Sequence, residues 1–449
     1  MRNALIFLAF LLFRLILSVP ALKEPSISLR INPDADHYHA LGLNMARNSS
    51  FSRAPSPPYV PDGLRTPLYP TLIGISDKIT GDPIRPVVFL QAILWALMGM
   101  GIMIFAEKKF GFASGLTSGL LLITSPLSLK YGPSIMSENL FTPALVAGAM
   151  VFLRARESGS LRLFALSGLI FGLSALVRPS SLPLGLLLAL LVGRPFPKKG
   201  LAFLGLWVAP IGMWVIRNWL TFGFPFFSTV FFLNIIAQNA PRVIAVAEGI
   251  SLKEAEMRVA EDLRERYRAD ESWFYDPVRL RTMLPYGLEV IKEHPKEYLL
   301  LHAKGTALCF LPLDPGSLGI TLGFWEASPV DPFELINQAM IRPAEALRTA
   351  RESFEKFGPL GLTLFVFIIL HTLTLYGLAT AGAIRLRGEF AAVALSLITV
   401  GALVFMTGPL GSPRFRLPAE PFLALLAGRA LLSRKPSLGC KRSHKQLKI

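Results

Sequence analysis

Apolar runs recur along this chain at lengths close to the hydrocarbon thickness of a bilayer, and a water-soluble domain has no core large enough to hide so many. After a first run at Ala4 to Val19, they fall at 85–106, 112–128, 135–153, 161–177, 180–193, 200–220, 298–325, 357–384, 389–410 and 414–433. Hydrophobic residues make up 52% of the 449, charged residues 17%, and the mean hydropathy is +0.49. Backbone groups in lipid must be satisfied within the chain, so these runs predict helices rather than loops. The fold expected is an all-α polytopic membrane protein of about 10 to 13 transmembrane helices, given ~20 residues per crossing. Short amphipathic helices are expected on its extracytoplasmic loops.

The net charge of +16 does not point to nucleic acid, because the basic residues cluster in short links between the runs and at the C-terminus. Those links are Lys108 and Lys109, then Arg154, Arg156 and Arg162, then Arg194, Lys198 and Lys199, then Arg385 and Arg387, and a tail from Arg434 to Lys448. The positive-inside rule makes all of them cytoplasmic. Cys309 and Cys440 are the only cysteines, which supports neither a disulfide framework nor a cysteine metal site. Val19-Pro20-Ala21 loosely fits a signal-peptide cleavage site, but Arg14 inside the apolar run argues for a retained first helix. Such an arginine costs about 2.5 to 3.5 kcal/mol at mid-bilayer, so it should face the protein interior or snorkel.

The remaining links then share the outer face: 20–84, the turn around Tyr131 to Glu138, Arg178, the segment 221–297 and Gly408 to Arg416. The expected organisation is a transmembrane module at 1–220 that includes the first outer loop 20–84. An extracytoplasmic region follows at 221–297, then a second transmembrane module at 298–433 and a basic cytoplasmic tail at 434–449. Ser251 and Glu254 have the spacing of a capping box opening an amphipathic helix to Arg268. For a cytoplasmic link at 385–388, the run 298–325 must cross twice, broken near Pro312 to Gly316, or be re-entrant.

Chemistry is expected in the polar stretch Asp34 to Pro70. In an extended loop Asp34 and Asp36 point the same way and could reach one metal ion or one substrate. Were the segment to coil, Asp34 and Tyr38 would share a helical face, suiting a positioned general base. The plainer alternative is Asp34 as a helix N-cap. His37 and His39 lack a third spaced ligand for zinc. Glu138 lies on the same outer face, where it could also simply open a helix. Arg65, Arg178, Arg217 with Asn218, Arg414 and Arg416 are cations on the face that normally carries few. A lipid phosphate or pyrophosphate would explain them together, snorkelling each one singly.

Taken in order, these motifs resemble the polytopic GT-C glycosyltransferases of the protein O-mannosyltransferase and lipid A aminoarabinose transferase type, the family 39-like group. The motifs are Asp34 with Tyr38, the R-x-P-x-x-P element Arg65 to Pro70, Ser137-Glu138, GLSALVRP around Arg178, Pro210 to Asn218, and RFRLPAEP with Arg414 and Arg416. They cover about the first 220 residues and the last 40. The resemblance implies a GT-C-like bundle in the cell membrane with its site on the extracytoplasmic face. There a sugar would pass with inversion from a polyprenyl-phosphate carrier to a lipid, glycan or protein acceptor. It implies Asp34 as the base, with Asp36, Tyr38, Arg65, Arg178, Arg217, Asn218, Arg414 and Arg416 around the donor. Glu138 falls at a second acidic site where some members hold a divalent cation such as magnesium or manganese. The base should have a raised pKa, achievable by partial burial. The alternatives are a transferase using a pyrophosphate-linked glycan, and a lipid transporter or flippase, for which inverted repeats would be expected and none is seen.

Overall fold

The computed structural model describes residues 1–30, 32–193, 197–326, 332–385 and 390–431. Arg194, Arg387, Cys440 and the basic tail lie outside them. Among the described residues the chain is helical, the only strand-like pairing being an isolated bridge between Ser52 and Pro61. Arg2–Lys23, Arg85–Phe110, Pro197–Phe222, Val230–Glu248 and Gly358–Ile384 are long and apolar enough to cross a membrane by length and composition. Shorter apolar helices stand among them, including Phe112–Ile123, Leu161–Val177 and Ala391–Phe405. The protein is thus a multi-pass membrane protein with an all-α fold, as expected from its apolar runs.

Close helix packing is built on small residues where it needs them. Leu161–Val177 lies against Pro197–Phe222 through Gly168 and Gly172, where an added Cβ would sit 2.1 Å from the Phe203 carbonyl and 2.5 Å from that of Trp207. This four-residue spacing of glycines is the one that brings membrane helices to backbone contact. Arg14, in the first helix, turns inward: Nη2 donates to the Ser128 carbonyl at 2.8 Å and the guanidinium lies 5.1 Å from the Trp95 ring centre. The interior reading of this residue is the one the fold adopts.

Among the described residues, two apolar cores are the largest. The larger joins Tyr38, Tyr69, Trp95, Phe141, Phe171 and Phe422. A second gathers Ile236, Val243, Leu263, Leu280 and Met283 from the segment expected to be a loop region, with Leu301 from the run that follows it. Ser251 and Glu254 form the capping box there, with reciprocal bonds of 3.2 and 2.8 Å. Val230–Glu248, with a π-turn at Asn234–Asn239, is apolar enough to span, which the reading of 221–297 as wholly extramembranous did not anticipate.

The expected spans 298–325 and 414–433 are each interrupted. The run 298–325 divides into Pro295–Leu308 and Pro315–Thr321, broken close to the place the crossing count requires. The run 414–433 becomes a 3-10 turn at Pro413–Ala419 followed by Glu420–Arg429, wholly buried. Pro413, Pro418 and Pro421 interrupt the helix ladder there and explain the shortening.

Candidate active site

The stretch expected as a loop begins as a helix, Asp34–Asn48. The Asn32 side chain accepts the Asp34 N–H at 2.9 Å and opens it. Ala35, Tyr38, Leu41 and Gly42 are buried along one face. Coiling places Asp34 and Tyr38 one turn apart on the same side. It also puts Asp36 about 200° round from Asp34, and Asp36 is exposed. The pairing of these two aspartates on one ion or substrate is therefore a correction forced by the helix: successive even residues align in a strand, not here.

Asp34 does not cap the helix; its carboxylate is taken by two guanidiniums. Arg65 Nη2 donates to one oxygen and Arg414 Nη1 to the other at 2.7 Å. Arg414 then reaches Glu138 with Nε at 2.5 Å, and Arg178 Nη1 donates to the same Glu138 oxygen at 2.6 Å. The Ser137 hydroxyl lies 2.9 Å from that of Tyr38 and accepts from Arg178 at 3.2 Å. The Arg65 guanidinium stands 5.1 Å from the Tyr38 ring centre and donates to His37 Nδ1 at 2.9 Å. Sequence-distant segments thus converge on five charged groups, three cations and two acids.

Burial alone would raise the Asp34 carboxyl, but Arg414 and Arg65 outweigh it and hold the group well below the usual carboxylate range. The expected raised pKa is corrected by these two partners. His37 is pushed down to about 4 by burial first and by Arg65 next, so it stays neutral near pH 7 and accepts the Arg65 bond.

A divalent cation fits this donor set poorly. Glu138 is 1% exposed, and its Oε1 already takes two guanidinium bonds. Among the described residues no three His, Cys, Asp or Glu side chains gather where an ion could be held. Glu138, expected near a metal, pairs with Arg178 and Arg414.

The other expected donor-binding groups sit apart from the cluster. Arg217 Nη1 donates to the Asp62 carbonyl at 3.1 Å and to Asn218 Oδ1 at 2.9 Å, with the guanidinium among Phe51, Trp214 and Phe222. Asn218 donates to the carbonyls of Phe226 and Phe227. The pair fastens loops together. Arg416 donates to the carbonyls of Cys309 and Leu311 at 2.8 and 3.0 Å and pairs with Glu420 at 3.4 Å, pinning the break between two helices. Its place beside Arg414 in sequence does not make it a neighbour of Asp34.

Sequence reasoning passed over Asp62, whose carboxylate accepts the backbone N–H of Leu64 and Arg65 at 2.9 and 2.8 Å and pairs with Arg53. Its signal was the Pro61-Asp62-Gly63 turn, a usual Asx-turn composition. Lys130, buried on the short helix Pro126–Tyr131, also went unnoticed.

Residues 64–219 match the family described as dolichyl-phosphate-mannose-protein mannosyltransferase. The resemblance drawn from the motifs is borne out over that stretch, which holds Arg65, Glu138, Arg178, Arg217 and Asn218 and leaves Asp34 and Arg414 outside. The match covers about a third of the chain, so it shows a likeness to that family over residues 64–219. No curated protein matches the chain. Among solved structures, the Archaeoglobus fulgidus oligosaccharyltransferase in its apo form is similar with a TM-score of 0.42 and 14% identity, covering 94% of this chain and 50% of that one. The chain thus spans half the length of that protein. ArnT from Cupriavidus metallidurans bound to undecaprenyl phosphate gives 0.40 and 12%, covering 96% of this chain and 78% of that one. Both likenesses are distant, and neither fixes a residue's role.

Proposed function

We propose that the protein is an inverting glycosyltransferase that moves a sugar from a polyprenyl-phosphate carrier to an extracytoplasmic acceptor, with Asp34 as general base. The observation that carries this reading is the bridging of Asp34 by Arg65 and Arg414 within a cluster where cations outnumber acids. Guanidinium pairs match phosphate oxygens as well as carboxylate oxygens. A donor phosphate arriving here competes with Asp34 for the same N–H groups. As Arg65 and Arg414 turn to the phosphate, the carboxylate loses the partners that hold its pKa down and becomes a stronger base.

In the chemical step the acceptor hydroxyl gives its proton to Asp34, its oxygen bonds to the anomeric carbon, and the bond from that carbon to the phosphate oxygen breaks. The leaving phosphate gains negative charge, which Arg65 and Arg414 stabilise more in the transition state than in the ground state. Glu138 holds Arg178 and Arg414 in place, and Tyr38 supports Arg65 through its ring. The carrier is soluble in the bilayer alone, which suits a site at the membrane boundary of the cell membrane.

The family match supports a mannosyl donor among the candidates. The test is transfer from synthetic polyprenyl-phosphate sugars in membranes carrying the protein, scoring hydrolysis as well as acceptor labelling. Turnover with a monophosphate donor supports the reading; turnover solely with pyrophosphate-linked glycans, or none with any donor, overturns it.

A further inference from the structure

The first turn of the helix Asp34–Asn48 presents more than a carboxylate to Arg65. Residues 34, 37 and 38 stand at i, i+3 and i+4 and so share one side of the helix. All three meet the Arg65 guanidinium. Asp34 takes a bond from Nη2, His37 Nδ1 takes a second from the same Nη2 at 2.9 Å, and the Tyr38 ring centre lies 5.1 Å from the guanidinium carbon. A guanidinium has no acceptor, so the imidazole accepts, and it is the neutral tautomer protonated at Nε2.

Arg65 is fixed at both ends. Its backbone N–H, with that of Leu64, donates to the Asp62 carboxylate at 2.8 and 2.9 Å, and its Nη2 is held by His37. Between them Nε is buried and has no hydrogen-bond partner among the described residues, which leaves a donor for a further acceptor. The two hydrogens of Nη2 go to different groups: the bond to Asp34 is the one an arriving phosphate competes for, while the bond to His37 can persist through the exchange. Without the imidazole, the second hydrogen is free to turn to the carboxylate, and a tighter pair would hold the base down.

We propose that His37 is a positioning residue for the transfer reaction: its Nδ1 keeps Arg65 in place while the guanidinium exchanges Asp34 for the donor phosphate. This role rests on the transferase reading above. His37 makes and breaks no bond to substrate, and the acceptor proton still goes to Asp34. It acts through Arg65, on the strength of the base and on the donor fixed toward the leaving phosphate. Both matter most in the transition state, so its loss should fall on kcat.

The test is steady-state transfer from a panel of synthetic polyprenyl-phosphate sugars by the full chain in membranes, with rates expressed per folded molecule. His37→Leu should lower kcat about 30-fold and leave the donor KM within about 3-fold. His37→Asn, whose Oδ1 is as many bonds from Cβ as Nδ1 is, should stay within about 3-fold of wild type. His37→Gln carries its oxygen one carbon farther out and should behave as His37→Leu does. In an Arg65→Met background, which has no guanidinium to hold, adding His37→Leu should cost less than about 3-fold more. Wild-type kcat in His37→Leu overturns the role while the transferase reading stands, and a variant that merely folds less would give this result. Equal activity of the Asn and Gln variants overturns it too, as does a full loss on adding His37→Leu to Arg65→Met. Absence of wild-type transfer from every sugar in the panel overturns the transferase reading, and this role with it.

Discussion

Arg414 and Arg416 are two residues apart in one 3-10 turn, both buried, and they serve opposite ends. Arg416 is closed on itself: one acid, Glu420, two backbone carbonyls and the Tyr376 ring satisfy it, and Glu420 in turn accepts from Ser125. Arg414 bridges two acids from different helices in a group with surplus positive charge, and a cavity opens beside it. A buried network whose charges and hydrogen bonds are complete serves the fold. One left with an excess of one sign, next to open space, supports the proposal of a ligand of the other sign.

The largest expected effect belongs to Arg414. Arg414→Lys keeps the charge but cannot fork between Asp34 and Glu138, and kcat/KM for donor should fall by about 10³, a loss of roughly 4 kcal/mol in transition-state stabilisation. Transfer within tenfold of wild type would place Arg414 with the structural arginines. Next comes Arg416→Met, which strands Glu420 in the interior. Thermal or denaturant unfolding should show a loss of about 3 to 5 kcal/mol, as removing one partner of a buried pair does. Transfer per folded molecule should hold, and Arg416→Met combined with Glu420→Leu should recover most of the stability. If the single variant is stable yet inactive, the contrast between the two arginines fails. The smallest effect is Asp36→Asn, which should leave transfer within about twofold of wild type, since exposed positions away from special features change little. A loss beyond tenfold would bring Asp36 back into the site.

Much of this was legible from the amino acids alone, for a physical reason. Long apolar runs have one solution in lipid, and the edges of Arg85–Phe110, Leu161–Val177 and Gly358–Ile384 fall close to those of the runs. The four-residue spacing of Asp34 and Tyr38 likewise survives, because it is a property of the local helix. That helix itself was obscured by its polar sequence, DADHYHALGLNMARN, in which the buried Ala35, Tyr38, Leu41 and Gly42 are outnumbered. Tertiary outcomes were out of reach. Arg414 and Arg416 look equivalent until the turn sends them to different partners, and Arg217 looks like a phosphate ligand until Phe51 and Trp214 enclose it. Partial burial suggested a raised pKa for Asp34; two arginines from distant segments reverse the sign. Lys130 was not singled out at all, because nothing in its short local sequence shows that the fold buries it.

The central claim is that Asp34 is the base and that the donor phosphate takes over its arginines. It is tested most directly by measuring transfer and polyprenyl phosphate binding together for Asp34→Asn at matched expression. The account predicts transfer reduced by at least 10³ while binding is as tight as wild type or tighter, because the carboxylate competing for Arg65 and Arg414 is gone. Full transfer by Asp34→Asn would contradict it.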